Sequence, residues 1–167
     1  SVAKKIDEIL KLDEMADTTS KAELADHTIA FEHVTFSYGE EQPVLKDVSF
    51  TVPDGKVTAL AGVSGSGKST AASLICRFWD ITEGQICMGG VPLNQIPLSD
   101  LMSQISFVTQ NTFLFKKSIR DNIMMGNPEA TEEEMMQAAK DAVCHDFIMR
   151  LPKGYDTVID KETKLSG

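Results

Sequence analysis

An α/β fold is expected from three features of the 167-residue chain. Between residues 28 and 61 apolar and polar side chains alternate, the period-two pattern of half-buried strands. From residue 71 apolar residues recur at helical spacing instead. Between these two patterns lies the glycine-rich stretch GVSGSGKS, Gly62 to Ser69, which joins an expected strand to an expected helix.

Composition sets the bounds. With 42% apolar and 25% charged residues the chain suits one soluble, folded domain with a core of ordinary size. A formal net charge of -9 argues against nucleic acid as a partner, because a phosphate backbone is recognised by clustered Lys and Arg. Cys76, Cys87 and Cys144 stand far apart without C-x-x-C spacing, which predicts reduced thiols and a cytosolic setting rather than zinc or disulfides. The first residues, SVAKKIDEILKL, are interrupted by Asp7 and Glu8, and no run approaches the eighteen or so apolar residues of a membrane helix. Work at a membrane would need another segment to bring the chain there.

The elements follow in order. Val2, Ile6, Ile9, Leu10, Leu12 and Met15 predict an amphipathic helix over about 2–15, with ADTTSKAELAD as a linker behind it. From Thr28 a first strand carries Ile29, Phe31, Val34, Phe36 and Tyr38, its phase slipping at His33 as a bulge would make it slip. Val48, Phe50 and Val52 mark a second strand, which turns at Pro53-Asp54-Gly55 into a third, KVTALA. Beyond the glycines, Ala71, Ala72, Leu74, Ile75 and Phe78 form a helix face, and ITEGQICMGG reads as a turn and short strand. A strand at ISFVTQ and a helix near KKSIRDNI come next. Thr131 to Glu134 is a capping box, Thr-x-x-Glu, opening a helix to about Ala142. The Met pairs 124/125 and 135/136 read as helical core. His27, His33 and His145 read as surface or capping residues.

The glycine stretch carries the chemistry. Gly62 to Ser69 matches G-x-x-x-x-G-K-[ST] in the strand-to-helix context that pattern requires. Glycines let successive backbone N–H groups converge on phosphate oxygens at the positive end of the following helix. Lys68 would add a point charge at the β/γ-phosphates, and the Ser69 hydroxyl would coordinate Mg²⁺. Gly62, Val63, Ser64, Gly65, Ser66, Gly67, Lys68, Ser69 and Thr70 are therefore the expected nucleotide-binding residues, and a nucleoside triphosphate the expected ligand. The absence of an N-K-x-D pattern speaks against guanine specificity.

Over nearly its whole length the chain resembles the nucleotide-binding domain of ATP-binding cassette (ABC) transporters of the exporter type. FSYGEEQPVLKDVSFTVPDGKVTALAGVSGSGKST resembles the family's opening through Walker A, ISFVTQNTFLF its Q-loop region, and SIRDNI and FIMRLPKGYDT later exporter segments. The terminal LSG is similar to the start of the LSGGQ signature. The resemblance implies a P-loop NTPase (RecA/F1-like) core with an antiparallel β subdomain and part of the helical subdomain, incomplete at the C-terminus. It implies domain limits of 1–27, a helix and linker from a preceding transmembrane domain, and 28–167, the nucleotide-binding domain.

Site roles follow from the same resemblance. Tyr38, 24 positions before Gly62, would stack on adenine, which contributes about 1–3 kcal/mol per base in single-strand binders. Gln110 would ligate Mg²⁺ or orient water and respond to backbone movement, joining Lys68 as a catalytic residue. Phe113, Leu114 and Phe115, three large apolar residues in an exposed connection, would receive a coupling helix of the transmembrane domain. Leu165, Ser166 and Gly167 would face the γ-phosphate held by a second nucleotide-binding domain in a head-to-tail dimer.

Walker B, the catalytic glutamate, the D-loop and the switch histidine follow the signature in the family. The chain is therefore expected to be most of one domain, an ATP hydrolase in its full-length parent but inactive alone, at the cytoplasmic face of the cell membrane. Three departures stand out: VIDKETKLSG lacks the family's Gly-Glu-x-Gly turn, Asn111 replaces an acidic residue, and Met102 stands where arginine is common. A soluble cassette ATPase without transport, and a binding module without turnover, remain as alternatives.

Overall fold

The computed structural model describes residues 2, 5, 6, 10, 11, 14–39, 42–111 and 113–159. It divides into two compact units, Ser1–Phe107 and Val108–Gly167.

The first unit is built on a four-stranded antiparallel sheet in the order β2-β1-β3-β4, with β1 Ile29–Phe36, β2 Leu45–Val52, β3 Glu83–Met88 and β4 Val91–Pro92. Alternation puts Ile29, Phe31, Val34 and Phe36 on the buried face. Phe31 pairs with Phe50 on one side and Ile86 on the other, and the Phe31 and Phe50 rings stack with centroids 4.3 Å apart. The three-residue step from Phe31 to Val34 needs an extra residue to keep both inward. The register shifts at that step, and His33 takes a positive φ of 51°, so the expected bulge is present. Gly84 of β3 passes so close that a Cβ there would lie 2.2 Å from the His33 carbonyl oxygen.

Helix α1, Lys68–Ile75, buries Ala71 and Leu74, and helix α2, Leu98–Gln104, buries Leu101, in the same core as the sheet residues and Leu93 and Ile96. Each fully buried Leu, Ile or Phe contributes roughly 1.5–3 kcal/mol, so this cluster carries the unit's stability. Phe78 lies beyond the end of α1, half-exposed and edge-on to Phe107.

Two expected strands do not form. Residues 56–61 are irregular and exposed, and so are residues 106–110, with Ile105 half-buried ahead of them. Both are short apolar runs of the kind that parallel sheets bury on both faces. A strand exists only through its neighbours' hydrogen bonds, and no described strand pairs with either run. One helix limit also changes. Val2, Lys5, Ile6 and Leu10 are helical, but residues from Glu14 to Asp17 are irregular, so Met15 is outside the helix. The Asp17 carboxylate accepts from its neighbour Thr18 N at 2.8 Å, a local bond that competes with helical geometry.

The second unit is helical: α3 Ile119–Met124, α4 Glu132–Asp141 and α5 His145–Met149, followed by a 3₁₀ turn at Gly154–Asp156. Its small core holds Ile119, Met135, Ala139, Ile148 and Tyr155, with Met124 and Met136 half-buried against it. Met125 is exposed, contrary to the core reading, because it falls at the C-cap of α3, beyond the last helical turn. The capping box at Thr131 is formed in both directions, Glu134 N donating to Thr131 Oγ1 (3.2 Å) and Thr131 N to Glu134 Oε2 (2.7 Å). An unforeseen second box joins Ser118 and Asp121 and starts α3 at Ile119, three residues into the expected segment. His145 is half-buried at the start of α5, with its Nδ1 2.8 Å from the hydroxyl of buried Tyr155.

Candidate phosphate-binding site

The loop from Gly62 to Gly67 is shaped by its own backbone. Ser66 N donates to Val63 O at 3.2 Å, while Gly65 and Gly67 have φ of 79° and 86°, a region costly for other residues. At Gly67 a side chain would also meet Leu45 at 2.5 Å and the Val44 carbonyl at 3.2 Å. Gly62 is close-set as well, since a Cβ would lie 2.7 Å from Ser66 Oγ.

Gly67 is the N-cap of α1, and its carbonyl accepts the first helical bond from Ala71 N at 2.8 Å. It supplies no side-chain cap, and the first turn of α1 contains no acidic residue. The helix's first N–H groups and the positive end of its dipole are thus left for an anion. A cleft of about 200 Å³ lies over this turn, lined by Val44 and Gly65 through Thr70. Val44 is a wall that sequence reasoning missed, held by its N–H to Phe36 O at 2.8 Å.

Lys68 curls over the loop. Its Nζ donates to Gly62 O (2.9 Å), Val63 O (2.7 Å) and Ser66 Oγ (3.2 Å). The ammonium therefore sits at the loop mouth, held by weak acceptors that a phosphate oxygen can replace with charge-assisted bonds. Ser69 is exposed in the first turn, its hydroxyl a hard oxygen donor at the edge of the cleft. A single hydroxyl suits Mg²⁺, which takes most of its six ligands from water and phosphate, and no group of three His, Cys, Asp or Glu residues able to hold a metal occurs among the described residues.

Tyr38 stands in the bend just after β1 and is tied to the loop helix, its hydroxyl 3.1 Å from Oγ1 of buried Thr70. The ring meets Phe36 edge-on at 4.9 Å and Trp79 at 5.3 Å, and remains 49% exposed. Structure thus joins Tyr38, Thr70 and Trp79. Trp79 had one signal in the sequence, a lone tryptophan in the turn after the glycine-loop helix.

The other expected site residues belong to the second unit. Gln110 is exposed in a bend, where the Thr109 hydroxyl donates to Asn111 O at 2.7 Å. Phe113, Leu114 and Phe115 are exposed, the two phenylalanine rings perpendicular at 5.0 Å. Asn122 braces this stretch by accepting from Phe115 N at 2.8 Å and donating to Phe115 O at 3.0 Å. Leu165, Ser166 and Gly167 lie outside the described residues.

A glycine loop opening a helix, with a lysine at its mouth, is the phosphate-binding element of the P-loop nucleoside-triphosphatase class. The model of the family described as ABC transporter matches residues 45–167, and the chain belongs to that family. It is 44% identical over 147 residues to a multidrug export ATP-binding/permease protein of Staphylococcus aureus strain NCTC 8325, covering 87% of this chain and 25% of the relative. The corresponding protein of the bovine strain RF122 is 43% identical over the same length. Among solved structures, a bacterial Atm1-family ABC exporter with ATP bound matches with a TM-score of 0.85 and 35% identity, over 95% of this chain and 28% of that one. The chain thus spans about a quarter of the length of these relatives.

Proposed function

We propose that the chain is the nucleotide-binding domain of an ABC exporter and that it binds MgATP at Gly62–Thr70, with adenine against Tyr38. The supporting observation is the uncapped start of α1, with Gly67 left-handed, no acid in the first turn and Lys68 at the loop mouth. Loop and helix N–H groups would hold the β- and γ-phosphates, and Lys68 would exchange its loop carbonyls for phosphate oxygens. Ser69 would hold Mg²⁺, whose charge offsets that of the triphosphate.

Residues 1–27 would form the helix and linker from a preceding transmembrane domain, and 28–167 part of the nucleotide-binding domain. The exposed Phe113, Leu114 and Phe115 would meet that transmembrane domain at the cytoplasmic face of the cell membrane. This fits relatives that join ATP-binding and permease parts in one chain. No helix of the described residues is long and apolar enough to cross a membrane. A second nucleotide-binding domain, head-to-tail, would receive Leu165, Ser166 and Gly167 at its bound γ-phosphate. Hydrolysis would then drive the transmembrane domain between inward and outward states, with the groups that polarise the attacking water supplied from beyond these 167 residues.

Calorimetry tests the reading. Lys68→Ala should weaken MgATP binding more than about a hundredfold, as expected for loss of charge-assisted phosphate bonds worth about 3 kcal/mol together. Unchanged affinity would overturn the assignment of the loop. Residues 1–167 alone should show negligible steady-state turnover, and Mg²⁺-dependent hydrolysis by them would overturn the need for further groups.

A further inference from the structure

We infer that Trp79 is a positioning residue for the nucleobase: its indole holds the Tyr38 ring in the orientation that receives the base. The inference rests on the proposed nucleotide site and adds to it a residue outside the glycine loop.

Tyr38 has little backbone to hold it. It follows the last residue of β1 by two positions, lies in a bend and precedes Gly39, around whose Cα the space is open. Its ring is held by three contacts: the buried Phe36 ring, the Thr70 hydroxyl and Trp79, whose ring plane is inclined 88° to that of Tyr38. Phe36 is a core residue and Thr70 reaches only the hydroxyl, which leaves Trp79 as the lateral stop against rotation of the ring. Perpendicular aromatic contacts of this kind are favourable because the positive edge of one ring meets the negative face of the other. Half of the Tyr38 surface stays open, area on which a planar base can lie.

Trp79 itself is firmly placed. The turn after α1 is closed by Arg77 N to Leu74 O (3.0 Å) and Phe78 N to Ser73 O (3.1 Å). Arg77 adopts φ of 50°, and its side chain is only 3% exposed. It donates from Nε to Asp80 Oδ1 at 3.0 Å and from a terminal nitrogen to Ala16 O. The turn that carries the indole is thereby fastened to the helix whose other end caps the phosphate loop. Base platform and phosphate cradle share one rigid frame, the condition under which both halves of a nucleotide can be bound without reordering either.

The test uses the full-length protein that carries this chain, and calorimetry with MgATP and with Mg-tripolyphosphate, which has the phosphates but no base. Trp79→Ala should weaken MgATP about three- to tenfold, the range expected for one edge-to-face pair. Tripolyphosphate affinity should stay within about twofold, and Trp79→Phe should recover most of the loss, because it keeps an aromatic edge. In a Tyr38→Ala background Trp79→Ala should change nothing further, since a residue acting only through another is fully coupled to it. An undiminished ATP affinity, an equal loss in both backgrounds, or an equal loss for tripolyphosphate would each overturn the inference while leaving the glycine-loop reading in place. Wild-type protein that bound neither ligand would overturn both.

Discussion

The two units hold themselves together by different means. In Ser1–Phe107 the central strand β1 pairs with β3 across a long stretch of sequence, and stability rests on Ile29, Phe31, Val34, Phe36, Leu74 and Leu101 buried in one apolar cluster. In Val108–Gly167 the buried core among the described residues is five side chains, and short helices are secured at their starts by the Ser118–Asp121 and Thr131–Glu134 boxes. Arg120 reaches across that unit to Glu132 and, at 3.2 Å, to Asp156. Non-local apolar burial carries no charge for dilute salt to screen or mild acid to titrate, whereas polar fastening is sensitive to both. The helical unit should therefore respond to solvent conditions that leave the sheet unit unchanged.

The largest expected effect lies in the sheet unit. Phe31→Ala should cost about 3–5 kcal/mol, the range for emptying a large aromatic site in a packed core. Hydrogen exchange should quicken across β1, β2 and β3 together, and a loss under 1 kcal/mol by urea titration would contradict a unit held by burial.

In the helical unit Thr131→Ala should cost about 1 kcal/mol, the usual value of an N-cap. Exchange should quicken through α4 and leave β1 untouched. Arg120→Ala should lower the midpoint of thermal unfolding in dilute salt, and the difference from wild type should shrink as salt rises from about 0.05 to 1 M, since the Debye length falls to about 3 Å. A salt-independent difference would mean that Arg120 acts through packing.

The smallest effect is on pH dependence. Its hydrogen bonds to the Ser118 side chain and backbone, aided by nearby Lys117 and Arg120, hold the Asp121 carboxyl below its ordinary value of 3.8. A group lowered on folding stabilises above its unfolded pKa and loses that contribution as pH falls through the folded value. Acid should loosen α3 below about pH 4, and Asp121→Asn should flatten that response as followed by circular dichroism.

Much of this was legible where chemistry is local. The glycine loop, the Thr131 box and the bulge at His33 each follow from residues that touch their own neighbours in sequence. The runs at 56–61 and 105–110 were misread because their patterns describe what a strand would bury, and strands need a second segment to exist. Met125 departs from its core reading for a milder form of the same reason, since one turn of helix decides which face a residue shows. Trp79 escaped notice because its importance lies in a contact with Tyr38, 41 positions earlier, that no periodicity encodes. Of the candidate site, the phosphate half was readable and the frame that links it to the base was not.

That frame has an optical consequence. Trp79 is the only tryptophan among the 167 residues, and its half-exposed indole emits light whose colour and yield depend on its surroundings. Tyr38, one of only two tyrosines, lies 5.3 Å away and so passes its excitation to the same ring. The tryptophan fluorescence of these residues therefore originates beside the candidate base site, which allows nucleobase arrival to be timed in a stopped-flow instrument without attaching any dye.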